Sequence, residues 1–239
     1  DTFPAIHAAG QAAVTRMAAM ADGQPHDIEA ETSHAAADVI FRTLFSIPIE
    51  HAVASRVFDE FRNYQRSQPI LNLAAFIKGP RWMPRFFKGE TKRSAKAIRG
   101  LITGLTEDRL AAIKAGDAPD DLATKIMTMK DPETAQGFDV PEMVDQVAIF
   151  FLAGHETSAA ALAWTLYLLA THPDWQDKLA AEATELTDFG SLSKLKLTRD
   201  VFRESLRLYP PVPMMVRETT QSETFRDRAV KPGAQVVLS

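Results

Sequence analysis

Apolar residues recur every three or four positions through most of the first 208 residues, the spacing of helices with one buried face. This predicts helices over about 5–21, over 28–46 with Ile28, Ala35, Ala36, Val39, Ile40 and Leu44 in phase, and over 50–67. The pattern breaks over 68–87, where Pro69, Pro80 and Pro84 lie among Phe76, Trp82, Phe86 and Phe87. That stretch is expected to be irregular, either a lid over a pocket or a packed connection. A helix over 90–115 follows, with Ile98, Leu101, Ile102 and Leu105 on one side and Gly116 and Pro119 as its stop. A short helix over 120–129 and a loop over 130–138 lead to the longest apolar run.

That run has a clear start. Asp139 can accept hydrogen bonds from free backbone N–H groups, and Glu142 three residues on can reach back to it, a capping box. The central helix should cover about 140–171, on the order of 45 Å at 1.5 Å per residue. His172-Pro173 closes it, because the residue before proline is pushed out of helical geometry. Helices over 174–187 and 195–208 follow, the last stopped by Tyr209-Pro210-Pro211-Val212-Pro213. Beyond 212 the period shortens. Met214, Val216, Phe225, Val230 and the run from Gln235 to Leu238 read as short strands around turns such as Lys231-Pro232-Gly233. The fold class is therefore mainly α (α+β), with a small β-sheet at the C-terminal end. A single domain over 1–239 is expected, with a helical body over 1–209 and a short β region over 212–239.

Composition narrows the classes. Hydrophobic content of 46% and charged content of 24% suit a soluble globular chain with a real core. A net charge of −4 argues against a nucleic-acid binder, and Lys88, Lys92, Arg93 and Lys96 read as a solvated helix face. There is no cysteine, which excludes disulfides, a thiol nucleophile and a thiolate metal site within this chain. The start, Asp1-Thr2-Phe3-Pro4, has no basic or apolar leader, so no signal peptide is seen and a cytoplasmic location is expected. With no opening methionine and an apolar end at Val236-Val237-Leu238-Ser239, both ends read as cut. Residues 147–170 nearly reach the length of a membrane span. His155 and Glu156 lie well inside it, where charge in lipid is costly, so a helix buried in a soluble protein is expected and no membrane segment.

The chemistry of the chain concentrates in that helix, at Ala153-Gly154-His155-Glu156-Thr157. Thr157 stacks over Ala153, and its hydroxyl can bond to the Ala153 carbonyl and bend the helix. Gly154 leaves room for something flat near the backbone. Glu156 and Thr157 pair an acid with an alcohol, which can pass protons into a dry site. Each also has a plain structural explanation: close helix packing for the glycine, a satisfied core hydroxyl for the threonine. His155-Glu156 begins like a zinc-binding H-E-x-x-H helix, but the second histidine would be residue 159, which is Ala159. A second constellation is Glu204 and Arg207 in "RESLRLYPPVP", three residues apart and able to pair on one face. Val201, Phe202, Leu206 and Leu208 flank them, so the pair reads either as partly buried, where the fixed guanidinium fork matters more, or as an ordinary surface ion pair.

"AGHETS" at 153–158 resembles the oxygen-activating motif of the cytochrome P-450 monooxygenases, and "ESLRLYPPVP" at 204–213 resembles that family's E-x-x-R helix and proline-rich turn. In this order the two motifs are highly specific, and the resemblance covers essentially the whole chain. It implies a helical, prism-shaped fold around haem b. Glu156 and Thr157 would then serve oxygen binding and proton delivery, and Ala153, Gly154 and Thr157 would lie against the porphyrin. Glu204 and Arg207 would be structural. Arg217 would contact a haem propionate, or else be an ordinary strand-edge arginine. The family's iron ligand is a cysteine in a later glycine-rich loop, and its W-x-x-x-R helix comes earlier; neither is in this sequence. The chain therefore holds no metal ligand and reads as an inactive fragment of a larger enzyme. That parent would insert one oxygen atom from O2 into a small apolar organic substrate, with electrons from a ferredoxin or flavoprotein reductase. The alternative is a non-catalytic helical binding protein on the same scaffold.

Overall fold

In the computed structural model of the chain, the described residues are 2–67, 89–130 and 132–238. The expected irregular stretch at 68–87 lies outside them. The helices among the described residues are α1 (Phe3–Ala19), α2 (Ile28–Phe45), α3 (Ala52–Ser67), α4 (Gly89–Ala115), α5 (Leu122–Thr128), α6 (Val140–Thr171), α7 (Pro173–Ala183) and α8 (Lys196–Leu208). Their ends follow local chemistry. The carboxylates of Asp27 and Asp121 accept from the first free N–H groups of α2 and α5. At α6 the Glu142 N–H donates to Asp139 Oδ1 at 2.8 Å, and the Asp139 N–H donates to Glu142 Oε2 at 2.9 Å, the expected capping box.

Two features go beyond the sequence pattern. The interruption at Gly190 is a short 3-10 helix, Gly190–Lys194. Ser191 folds the turn before it: its hydroxyl accepts from the Thr187 and Asp188 N–H groups at 2.9 and 3.0 Å and donates to the Asp188 carbonyl at 2.6 Å. The small sheet is two antiparallel ribbons. β1 (Met215–Glu218) pairs with β4 (Gln235–Leu238), and β2 (Glu223–Phe225) pairs with β3 (Arg228–Val230). Arg226 and Asp227 turn the second ribbon with φ of 45° and 64°, both left-handed, as a two-residue turn of this hand requires.

The chain divides into two compact units, residues 1–159 and 160–239, with α6 running through both. In the first unit the core joins Phe41, Leu44 and Phe45 of α2, Val57, Phe58 and Phe61 of α3, Ile98 and Ile102 of α4, Ile126 of α5, and Met143, Val144, Val147 and Phe151 of α6. Phe151 sits at its centre, its ring 5.0 Å from Phe41 and 4.4 Å from Phe61. Helix α6 is long and apolar enough to cross a membrane by length and composition. In this unit one stripe of it, Met143, Val144, Val147 and Phe151, packs into the core. Beside the core, the nearly buried Arg109 guanidinium donates to Asp121, to Thr124 Oγ1 at 2.9 Å and to the Phe45 carbonyl at 2.7 Å. Ser46 donates to the second Asp121 oxygen at 2.8 Å, so the buried charges of α4 and α5 are fully engaged and tied to the end of α2.

In the second unit α8 lacks a side-chain cap of its own. The Glu182 carboxylate on α7 supplies one, accepting from the Leu197 and Thr198 N–H groups at 2.8 and 2.7 Å and from the Thr198 hydroxyl at 2.8 Å. Desolvation opposes the ionised form of Glu182, but these donors outweigh it and hold its pKa below the ordinary carboxylate value. Trp164 of α6 stacks flat on Tyr209, just past α8, at 4.0 Å between ring centres.

Candidate functional site

Helix α6 has two unlike faces where the motif lies. Val147, Phe151, His155 and Ala159, four residues apart, are buried in the first unit. Ile149, Ala153 and Glu156 lie on the opposite side and are exposed, with Thr157 half-buried among them and Leu152 exposed at the flank. An apolar helix surface thus stays open and carries an acid and an alcohol next to an alanine.

Each motif residue has a distinct setting. Thr157 Oγ1 donates to the Ala153 carbonyl at 2.8 Å, as the i,i+4 spacing suggested. Gly154 faces α2: a Cβ built there would meet Ile40 Cδ1 at 3.2 Å. The room this glycine leaves is taken by a neighbouring helix and is not open to a flat group on that side. His155 is turned inward. Its Nε2 lies 2.8 Å from Ser33 Oγ on α2, its ring stacks on Phe151 at 5.6 Å, and the Phe58 ring meets it edge-on at 5.7 Å. Burial pushes its pKa below the ordinary histidine value, only partly offset by Ser33 and by nearby Glu156. Sequence reasoning weighed His155 as a zinc ligand and missed this role. The signal was present: His155 falls four residues after Phe151, on the buried stripe.

The second constellation lies in the second unit. Arg207 donates through Nε to Glu204 Oε2 at 2.7 Å and through Nη2 to Oε1 at 2.6 Å, a two-pronged pair. The shared hydrogen bonds lower the Glu204 pKa and raise that of Arg207. The side chains are 55% and 66% exposed, so of the two alternatives the surface ion pair is the one found: Ser205 is the buried position of α8, and Phe202 and Leu208 are exposed with the pair. Arg217 on β1 is exposed and donates to the Val216 carbonyl at 3.0 Å and to the Met215 sulfur at 3.7 Å. The structure therefore groups Ala153, Gly154, Glu156 and Thr157 on one helical turn of the first unit, and pairs Glu204 with Arg207 in the second. Among the described residues no group of three or more histidine, aspartate or glutamate side chains could hold a metal ion.

Comparison with known proteins gives one answer. The model of the cytochrome P-450 family matches residues 2–239. The chain is 30% identical over 227 residues to cytochrome P-450 CYP72A616 of Paris polyphylla, covering 89% of this chain and 43% of that protein. It is 31% identical over 264 residues to cyclooctat-9-en-7-ol 5-monooxygenase of Streptomyces melanosporofaciens, covering 99% of this chain and 54% of that protein. The chain spans about half the length of the curated relatives it matches. Among solved structures, the haem domain of cytochrome P-450DA superposes with a TM-score of 0.79 at 20% identity, covering 99% of this chain and 52% of that one. Retinoic-acid-bound cyanobacterial CYP120A1 does so at 0.76 and 21%, covering 99% and 51%. At these identities the structural likeness carries the fold.

Proposed function

The chain belongs to the cytochrome P-450 family, and from that membership we propose that the protein carrying it is a monooxygenase that inserts one oxygen atom of O2 into an apolar organic substrate. Relatives named for monooxygenation of cyclooctat-9-en-7-ol and of echinocystic acid support the reaction class. The observation that carries the reading is the open face of α6, where the Thr157 hydroxyl is parked on the Ala153 carbonyl beside exposed Glu156.

The group the family implies is a haem, and the fit can be tested on this face. Ala153 and Thr157 are small, and Ile149 and Leu152 beside them are apolar and exposed, which suits a flat hydrophobic ring. Gly154 is turned to Ile40 and contributes by letting α2 approach. The exposed Arg217 guanidinium would suit a propionate of haem b. With no cysteine, the chain itself offers no thiolate to the iron. When bound, the haem supplies the oxygen and electron-transfer chemistry, with electrons from a ferredoxin or flavoprotein reductase.

The chain's own residues then orient and move protons. Thr157 Oγ1 can exchange its donation to the Ala153 carbonyl for donation to a ligand on the open face. Glu156, in water one residue away, can restore the proton that Thr157 gives. In the full-length, haem-loaded protein, Thr157→Ala is expected to lower the product formed per electron consumed by about tenfold or more, within the range of general acid–base effects. Unchanged coupling would remove the proton-delivery role.

A further inference from the structure

The turn of α6 that carries Thr157 is locally weak. The Ala153 carbonyl is shared with the Thr157 hydroxyl, and Gly154 has the poorest helix propensity of the non-proline residues. Something must hold its rotation, because one residue's slip turns a helix by 100°, enough to swing Thr157 off the open face. At this level Ile40 of α2 meets Gly154 and Phe58 of α3 meets His155, and one turn earlier Phe151 packs against Phe41 and Phe61. Hydrophobic burial of this kind is non-directional. The Ser33–His155 hydrogen bond is different: it is directional, buried, 2.8 Å long, and joins residues 122 apart in sequence. The Arg99–Asp145 ion pair on the same half of α6 is ten residues earlier and exposed.

We propose that Ser33 and His155 are a positioning pair that sets the rotation of α6 and so aims Thr157 and Glu156 at the open face. Thr157 lies two positions after His155, about 200° around the helix, so a tie on the buried side fixes the direction of the opposite side. Neither residue touches the reacting atoms. The inference rests on the proton-delivery reading of Thr157, and its test separates the two.

In the full-length, haem-loaded protein, Ser33→Ala is expected to reduce coupling severalfold, below the roughly 100-fold that a 1 Å misplacement can cost, with substrate KM unchanged. Amide hydrogen exchange over residues 153–157 should rise in the same variant. Ser33→Thr, which keeps the hydroxyl, should restore both. His155→Phe removes the bond while filling the ring's space, and should match Ser33→Ala should the latter fold poorly. If Thr157→Ala lowers coupling while Ser33→Ala and His155→Phe leave coupling and exchange unchanged, the pair does not position the helix. A loss of thermal stability with intact coupling overturns the inference too, by showing a bond that only holds the fold. If Thr157→Ala itself has no effect, the underlying reading falls and the inference with it.

Discussion

Gly154 shows how a single missing methyl is decided by its neighbour. A glycine inside a helix costs about 1 kcal/mol relative to alanine, so Gly154→Ala should stabilise α6 if space allowed. The built Cβ lies 3.2 Å from Ile40 Cδ1, too close for comfort, though that atom is the far end of a flexible side chain. Ile40→Val removes the obstructing methyl and alone should cost about 0.5–1.5 kcal/mol. The combined variant, Gly154→Ala with Ile40→Val, is therefore expected to be more stable than the sum of the two by about 0.5 kcal/mol or more, measured by urea unfolding. Simple additivity would mean that Ile40 does not fill the space beside Gly154. The same turn shows what local spacing conveys. The Thr157–Ala153 bond is an i,i+4 contact and could be read from the chain itself. The Gly154–Ile40 and His155–Ser33 contacts join α6 to α2 across more than a hundred residues, and one sequence carries no record of that pairing.

Among the elements, α6 depends most on its ends and α8 on its neighbour. The Asp139–Glu142 capping box engages two backbone N–H groups at the start of a 32-residue helix whose first half supplies four side chains to the core. Asp139→Ala is expected to lower unfolding free energy by about 1 kcal/mol, read from the urea midpoint at unchanged slope. An unshifted midpoint would show that the cap is not formed in solution. Periodicity and punctuation placed these helices well, because a capping box, a Pro after His172 and a Gly at 116 are all local signals. The Ser191 turn escaped because its bonds are side chain to backbone, with no apolar rhythm. The ribbon turn at Arg226-Asp227 escaped because neither residue is the usual glycine or asparagine for left-handed backbone. Glu182 escaped because it caps a helix other than its own. For Glu204 and Arg207 the spacing gave the pair but not its exposure, which depends on what surrounds α8.

Across the chain, the distribution of exposed apolar side chains carries the last expectation. In the first unit Ile149, Phe150 and Leu152 of α6 are each substantially exposed. In the second, Phe202, Leu208 and Tyr209 at α8, Met215 and Val216 on β1, and Val237 and Leu238 on β4 are all substantially exposed. The second unit also holds an open groove of about 520 Å³, lined by apolar residues including Leu168, Trp175 and Leu208 and by polar ones including His172, Asp200 and Glu204. Soluble monomers rarely leave large contiguous apolar patches bare unless those surfaces meet something. The chain spans about half the length of its matched relatives. The 239-residue polypeptide by itself is therefore expected to enhance the fluorescence of a hydrophobic dye such as ANS at neutral pH without denaturant, and to associate as its concentration rises. Replacing Phe150 with Glu should reduce the dye signal with little loss of helix content, because that side chain is already 46% exposed. A dye-silent polypeptide that stays monomeric at high concentration would show that these faces are covered within the chain itself.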